Sequence, residues 1–293
     1  MTRIGAIFSP YPNAPEALHD AALAAESAAL DELWLWEDCF RQSAYAAASA
    51  VLAWTTRLKV GIGISPMPLR NVAIGAMEIA TVERLFPGRL LPGVGHGVLP
   101  WMGQVGARVA SPLTLMREYV PALRTLLAGD EVTADGRYVH LDAVRLDWPP
   151  AAAPLVYAAA EGPKTLVLAG EVADGVVLDS RHTVDEIAAA VAAVRSARAA
   201  ARRSGAPDIV AYVLTAFGAD AVARASAEFA VFGAEAPADA AARVAAGSVD
   251  DVVAAVRGYA TAGVDSVVLL PTADAVLSEF FAAAGEVARA VRE

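Results

Sequence analysis

Five clusters of chemically capable residues follow apolar, strand-like runs in this sequence. Glu37-Asp38-Cys39-Phe40 places two carboxyls and the chain's one thiol behind Leu33-Trp34-Leu35-Trp36. Gly63-Ile64-Ser65-Pro66 ends one apolar run, and Gly95-His96-Gly97 ends another. Ala160-Glu161-Gly162-Pro163 and Asp179-Ser180-Arg181 close two more. Carboxyl and imidazole groups can move protons, and a thiol can do so or act as a nucleophile. Glycine in a turn lets the backbone approach a ligand closely. Pro163 suits the first position of a helix. The N–H groups of that helix start, with Lys164 beside them, would face an anion.

Each cluster also has a purely structural reading. Glu37 and Asp38 suit capping of the next helix, and Cys39 suits a small shielded side chain. His96 stands between two glycines in a loop, where a packed core histidine is out of place. Gly93-Val94-Gly95-His96-Gly97 is not a dinucleotide fingerprint, because no helix starts at once and the final spacing is wrong. His19, His140 and His182 are scattered without ligand spacing, so no metal site is expected. Trp101 and Met102 either form a lid over a substrate or pack into the core.

The elements that would carry these clusters alternate. Strand-like runs span Arg3–Phe8, Leu33–Trp36, Leu58–Ile64, Arg89–Gly95, Leu155–Ala159, Gly175–Leu178, Ile209–Thr215 and Val264–Leu270. Helical periodicity fills Pro15–Leu30, residues 43 to 53, the stretch from the cap Asn71 to about Leu85, and Leu113–Ala128. It returns at Pro163–Ala169, residues 183 to 204, roughly 219 to 262, and Ala273–Arg292. Continuously apolar strands separated by helices indicate a parallel sheet with crossover connections. Eight strands in alternation predict an α/β fold, a (β/α)8 TIM barrel. Two decorations are expected after the fourth strand. One is an extended loop over residues 96 to 112; the other is a β-hairpin of Glu131–Thr133 and Arg137–Leu141 around Asp135-Gly136. No linker divides the chain, so one domain over residues 1–293 is expected. In such a barrel the strand C-terminal ends form the reactive face, which gathers all five clusters on one rim.

Bulk properties narrow the function. Hydrophobic residues make up 56% and charged residues 19%, enough for a large core. A formal net charge of −10 with no basic stripe argues against a nucleic-acid partner. The single cysteine excludes an intramolecular disulfide and fits a cytoplasmic protein. No secretory signal is visible at the start. The alanine-rich stretches are broken by charges at helical spacing, so no membrane partner is expected.

The order and spacing of several segments resemble the bacterial luciferase-like superfamily, in its short flavin- and deazaflavin-dependent members. They are Thr56–Gly63, then Glu78–Leu91 with Ala80-Thr81 and Phe86-Pro87-Gly88-Arg89, running on to Gly95. Arg117-Glu118-Tyr119, Asp135-Gly136, Gly162-Pro163 and Leu168–Val176 complete the set. The resemblance implies a TIM barrel with the cofactor ring across the strand C-terminal ends. It also implies a non-proline cis peptide at Gly63–Ile64 that buttresses the ring, and a homodimer. Asp38 matches the position that meets the ring edge or a cofactor hydroxyl. Ala160, Glu161 and Gly162 match the turn toward the cofactor phosphate or tail, with Pro163 opening the helix behind them. Ser65, Gly95 and His96 lie on the adjoining turns and join the expected cofactor-binding set.

Sugar-phosphate dehydrogenases of this group carry a histidine after the aspartate and a glutamate beyond the fourth-strand turn. Cys39 and Val98 stand there instead, so that activity is not expected. Glu37, Cys39 and His96 remain as candidate catalytic groups. The short length and GC-rich character resemble the coenzyme F420 group, which includes methylenetetrahydromethanopterin reductase. The expected function is coenzyme F420-dependent hydride transfer to or from a small-molecule substrate. An FMN-dependent monooxygenase and a non-catalytic flavin-binding barrel are the alternatives.

Overall fold

The computed structural model describes residues 1–231 and 237–293. In chain order it contains β1 (Arg3–Phe8), α1 (Leu18–Ser27), β2 (Glu32–Leu35), α2 (Ala44–Trp54), β3 (Lys59–Pro66) and α3 (Val72–Leu85). There follow β4 (Leu90–Gly95), α4 (Leu99–Gln104), α5 (Pro112–Leu127), β5 (Val132–Asp135), β6 (His140–Val144), β7 (Tyr157–Ala159) and α6 (Pro163–Val172). The chain ends with β8 (Gly175–Leu178), α7 (Val184–Ala200), β9 (Asp208–Phe217), α8 (Ala221–Val231), β10 (Val244–Gly247), α9 (Val249–Thr261), β11 (Ser266–Pro271) and α10 (Leu277–Arg292).

β1, β2, β3, β4, β7, β8, β9 and β11 pair in parallel around a ring that closes through β8–β9 and β11–β1. This is the eight-stranded (β/α)8 TIM barrel that the alternation predicts. β10 is an addition. It pairs only with the overhanging end of β9, Val244 against Leu214 through Gly247 against Phe217. The sequence reads as helical over roughly 219 to 262, and there the structure differs: a strand interrupts that stretch, and part of it lies outside the described residues. Val244-Ala245-Ala246-Gly247 carries no strand period of its own; pairing with β9 makes it a strand.

The decorations after β4 are present, with two differences. The loop over residues 96 to 112 holds the short helix α4, whose proline at the second position suits a helix start. The hairpin's second strand begins at His140, not Arg137. The Glu118 carboxylate of α5 accepts hydrogen bonds from the N–H groups of Arg137, Tyr138 and Val139, which holds those residues in the turn.

Two apolar compartments hold the fold. The larger lies between the strands and the helix ring, and includes Leu33, Val60, Ile79, Leu123, Val194 and Phe281. The smaller is the barrel interior, where Trp34, Tyr157, Tyr212 and Trp36 pack edge-on or tilted against one another. Glycines make room for these rings. A Cβ at Gly61 would overlap Trp34, one at Gly175 would overlap Tyr157, and one at Gly63 would overlap the Tyr212 hydroxyl. Among the described residues, no helix is long and apolar enough to cross a membrane.

Candidate active site

A cavity of about 570 Å³ opens at the C-terminal ends of the barrel strands. That volume is within the range of small-molecule and cofactor sites. Its floor is the end of β3, where the pairing register with β4 shifts between Ile62 and Ser65 and the Gly63–Ile64 peptide is cis. Gly95 lies under this bulge, where a Cβ would press on the Ile64 side chain at 3.0 Å. A second cis peptide, Cys39–Phe40, was not expected from the sequence.

The cavity brings together five of the predicted residues: Asp38, Gly63, Ile64, Ala160 and Glu161. Asp38 accepts a hydrogen bond from the Tyr11 hydroxyl at 2.8 Å. Burial raises its pKa above the usual carboxylate value. The nearby Asp179 adds to that rise, while Tyr11 and Arg41 oppose it. A carboxyl placed this way can hold a proton closer to neutrality than a solvated aspartate can.

The remaining predicted residues sit elsewhere. Glu37 is committed to structure. Its carboxylate pairs with Arg70 at 2.5 and 3.0 Å and accepts from the N–H of Ala44, the first residue of α2. It therefore serves as the helix cap that its position allows, while Ser43 makes no side-chain cap. Ser65 accepts from the same Arg70 at 3.1 Å. Cys39 does not line the cavity, and burial, then Glu37 and Asp38, push its thiol pKa up, so the thiolate is disfavoured. His96 is exposed, with Nδ1 3.0 Å from the Gly97 carbonyl oxygen, and it too stands off the cavity wall. Gly162 and Pro163 are exposed at the start of α6, just beyond Glu161. Gly162 is the N-cap there and offers no side chain, so the helix end presents backbone.

Of the remaining wall, the sequence placed Asp179, Ser180 and Arg181 on the rim and offered Trp101 as a lid, but it missed Tyr212, Trp36 and Tyr11. Tyr212 stands inside β9, 5% exposed, and packs against Trp34 and Trp36 with ring centroids 5.7 and 6.5 Å apart. Its hydroxyl is buried and donates to no described residue, and Trp36 is its hydrogen-bonding neighbour. Burial holds the phenol well above its ordinary pKa, so it remains a donor. Trp36, Asp179 and Tyr11 also line the cavity. Arg181 spans from Asp179 at 2.6 Å to Glu161 at 3.0 Å on the same wall. Trp101 and Val98, from the loop that holds α4, complete the mouth. One signal for Tyr212 was available: a strand with inward residues alternating along it would turn Tyr212 into the barrel with Val210 and Leu214.

These groups fit a flat, polar-edged ring. The missing Cβ at Gly63 gives its space to the Tyr212 hydroxyl, so the two residues form the floor together and the hydroxyl keeps an unused donor there. A buried donor without a partner costs free energy on the order of 1–3 kcal/mol, which a ligand acceptor would recover.

Comparison with known proteins gives the family and the fold. Residues 1–266 match the family described as luciferase-like monooxygenase. Over 228 residues the chain is 30% identical to 5,10-methylenetetrahydromethanopterin reductase of Methanolobus tindarius, covering 78% of this chain and 69% of that protein. Over 187 residues it is 33% identical to F420-dependent glucose-6-phosphate dehydrogenase of Kineococcus radiotolerans, covering 59% of this chain but only 55% of that relative. The fold superposes with a TM-score of 0.84 on coenzyme F420-dependent tetrahydromethanopterin reductase from Methanopyrus kandleri, at 20% identity and with 97% of each chain covered.

Proposed function

The chain belongs to the luciferase-like monooxygenase family, and from that premise we propose that it is a coenzyme F420-dependent oxidoreductase moving hydride between the deazaflavin and a small organic substrate. The observation that carries this reading is the cradle itself. Gly63 and the Tyr212 hydroxyl packed against it form a floor with an unused donor, at the end of the barrel where chemistry is done. The named relatives support a deazaflavin over other planar cofactors, since they are called a methylenetetrahydromethanopterin reductase and an F420-dependent dehydrogenase.

Bound there, a deazaflavin supplies two-electron hydride chemistry. The protein's own residues do the rest. Tyr212 donates a hydrogen bond to an acceptor on the ring edge and so orients it. Trp36, Trp101 and Leu270 enclose the cavity and limit water. Asp38 holds or accepts the proton that accompanies hydride movement, and Tyr11 fixes its carboxyl through Oδ2. This assigns proton transfer to Asp38 in preference to Glu37, Cys39 or His96, none of which lines the cavity. Gly162, Pro163 and the start of α6 suit the anionic part of the cofactor. Sugar phosphate is not assigned as substrate, because Cys39 and Val98 replace the acid–base pair expected of such enzymes.

A homodimer is part of the same proposal. Ile74, Met77 and Leu85 leave half or more of their surface exposed on α3, an apolar strip suited to a second copy. A cytoplasmic location is proposed from the single free cysteine.

Separate titrations with coenzyme F420 and FMN, followed by fluorescence quenching, test the cofactor. Micromolar or tighter binding of coenzyme F420 with negligible FMN binding is the expected result. The reverse preference would overturn the deazaflavin reading in favour of a monooxygenase, and binding of neither would overturn catalysis.

A further inference from the structure

Gln42 carries an unusual burden. It lies in the connection from β2 to α2, and both its amide nitrogen and its amide oxygen are buried without a hydrogen-bond partner among the described residues. Buried polar groups in folded proteins are almost always paired, so an amide unsatisfied at both atoms calls for a physical account.

The same residue forms part of the wall of a second, smaller cavity of about 330 Å³, on the same face of the barrel. Its other walls come from the connection after β1, with Pro10, Pro12 and Asn13, and from Phe40 and Arg41. Proline fixes backbone torsions, so much of this wall is rigid before any ligand arrives. Phe40 is 66% exposed and offers an apolar surface beside it. Tyr11 is shared by the two cavities. One side of the boundary is Asp38, bonded to the Tyr11 hydroxyl; the other is Arg41, whose guanidinium lies 4.0 Å over the Tyr11 ring.

We propose that this smaller cavity is a substrate subsite in which Gln42 reads an uncharged amide or lactam group on the part of the substrate that does not react. The chemistry follows from the side chain. A carboxamide offers a donor and an acceptor side by side, and another amide edge satisfies both at once. A carboxylate would use the Gln42 nitrogen and leave its oxygen unpaired; a ketone would do the same. Arg41 is already placed over Tyr11 and near Asp38, so it is not a free cation for an anion. The amide now lies behind the wall, out of water. Bringing it into the cavity takes a change of rotamer at χ1 or χ2, and that change breaks no hydrogen bond to a described residue. That the amide-bearing molecule is the oxidoreductase's substrate rests on the function proposed above; the subsite itself does not.

The test is a titration of the full-length protein with 2-pyrrolidinone, acetone and acetate. It is followed by the 15N-labelled Gln42 side-chain amide signal, with and without coenzyme F420. The signal is assigned by its loss in Gln42→Met. The lactam is expected to shift it with a dissociation constant of about 1 mM, fitting for a ligand of six heavy atoms. Acetone and acetate are expected to bind at least roughly tenfold more weakly. In Gln42→Met, which lacks that signal, lactam binding is read from the backbone amides of Phe40 and Arg41 and should be lost, while the variant melts at the same temperature or higher, since two unpaired buried atoms are removed.

Absence of a lactam shift, or equal shifts from all three probes, would overturn the subsite. So would a Gln42→Met protein that melts several degrees lower, because the amide would then be bonded in solution, to a fixed water for example. Lactam binding without coenzyme F420 binding would overturn the function instead and leave the subsite standing.

Discussion

Tyr157 and Tyr212 flank the same ring. Each packs edge-on against Trp34, at centroid distances of 6.0 and 5.7 Å, and each is almost wholly buried inside the barrel. Their hydroxyls meet opposite fates. Tyr157, toward the N-terminal end, donates to Asp208 at 3.0 Å, and Asp208 also pairs with Arg3 at 2.8 Å. Arg3 continues to the fully buried Glu32 at 2.5 Å, which also accepts from the Trp34 indole and the Ser266 hydroxyl. Tyr212, toward the C-terminal end, donates to nothing in the described chain. At one end a polar network whose groups satisfy one another forms the inner wall of a cavity of about 540 Å³, so Arg3, Tyr157 and Asp208 are already paired where they line it. The other end leaves its donor open and its carboxyl, Asp38, above the usual pKa. The same aromatic column thus serves stability at one end and, in the proposed function, ligand recognition at the other, the division expected of this fold.

The contrast breaks most visibly at Glu32. Glu32→Ala leaves Arg3 without its buried partner and strips acceptors from Trp34 and Ser266. It should cost about 3–5 kcal/mol in denaturant unfolding, with no change in coenzyme F420 affinity of the folded fraction. The two tyrosines give a matched pair for sharpening it. Tyr157→Phe should destabilise by about 1 kcal/mol and leave cofactor affinity alone. Tyr212→Phe should leave stability within about 0.5 kcal/mol of wild type, yet weaken coenzyme F420 binding roughly tenfold, one hydrogen bond's worth. Equal stability losses in both variants would mean that the Tyr212 hydroxyl is bonded in solution and the two ends are alike.

A subtler difference concerns pH. Burial raises the Asp38 pKa in the folded state, so folding favours its protonated form. The stability lent by that form is complete below the unfolded value, about 3.9, and is lost as pH rises through the raised folded pKa. Asp38→Asn escapes this loss. The variant should match wild type near pH ~3.5 and exceed it at neutral pH, as read from urea unfolding across the range. A constant difference at all pH values would show that Asp38 keeps an ordinary pKa.

The barrel was legible because its eight strands are apolar and separated by helices of clear period. β10 was not, since four small residues beside β9 become a strand only through pairing. The polar network at the N-terminal end was hidden for a different reason. Glu32 sits at a strand start like any polar boundary residue, and its partners Arg3 and Ser266 are 29 and 234 residues away. At the open end the turns after the strands were readable, which is why Asp38, Gly63, Ile64, Ala160 and Glu161 were anticipated. Tyr212 was not, because one phenol within an apolar run reads as core until the strand's inward face is known. Glu37 shows the converse. Its place beside Asp38 suggests chemistry, but a neighbouring Arg70, 33 residues on, draws it into the frame of α2.

In the proposed function the ring of coenzyme F420 rests on the floor that Gly63 and Tyr212 form together. Isothermal titration of wild type and Gly63→Ala with coenzyme F420, alongside a melting curve of each, tests it most directly. The added methyl needs the space of the Tyr212 hydroxyl. The account predicts a folded variant, even if a few degrees less stable, with no measurable heat of binding where wild type binds at micromolar concentration or tighter. Equal affinity in a folded Gly63→Ala protein would contradict it and move the cofactor off this floor.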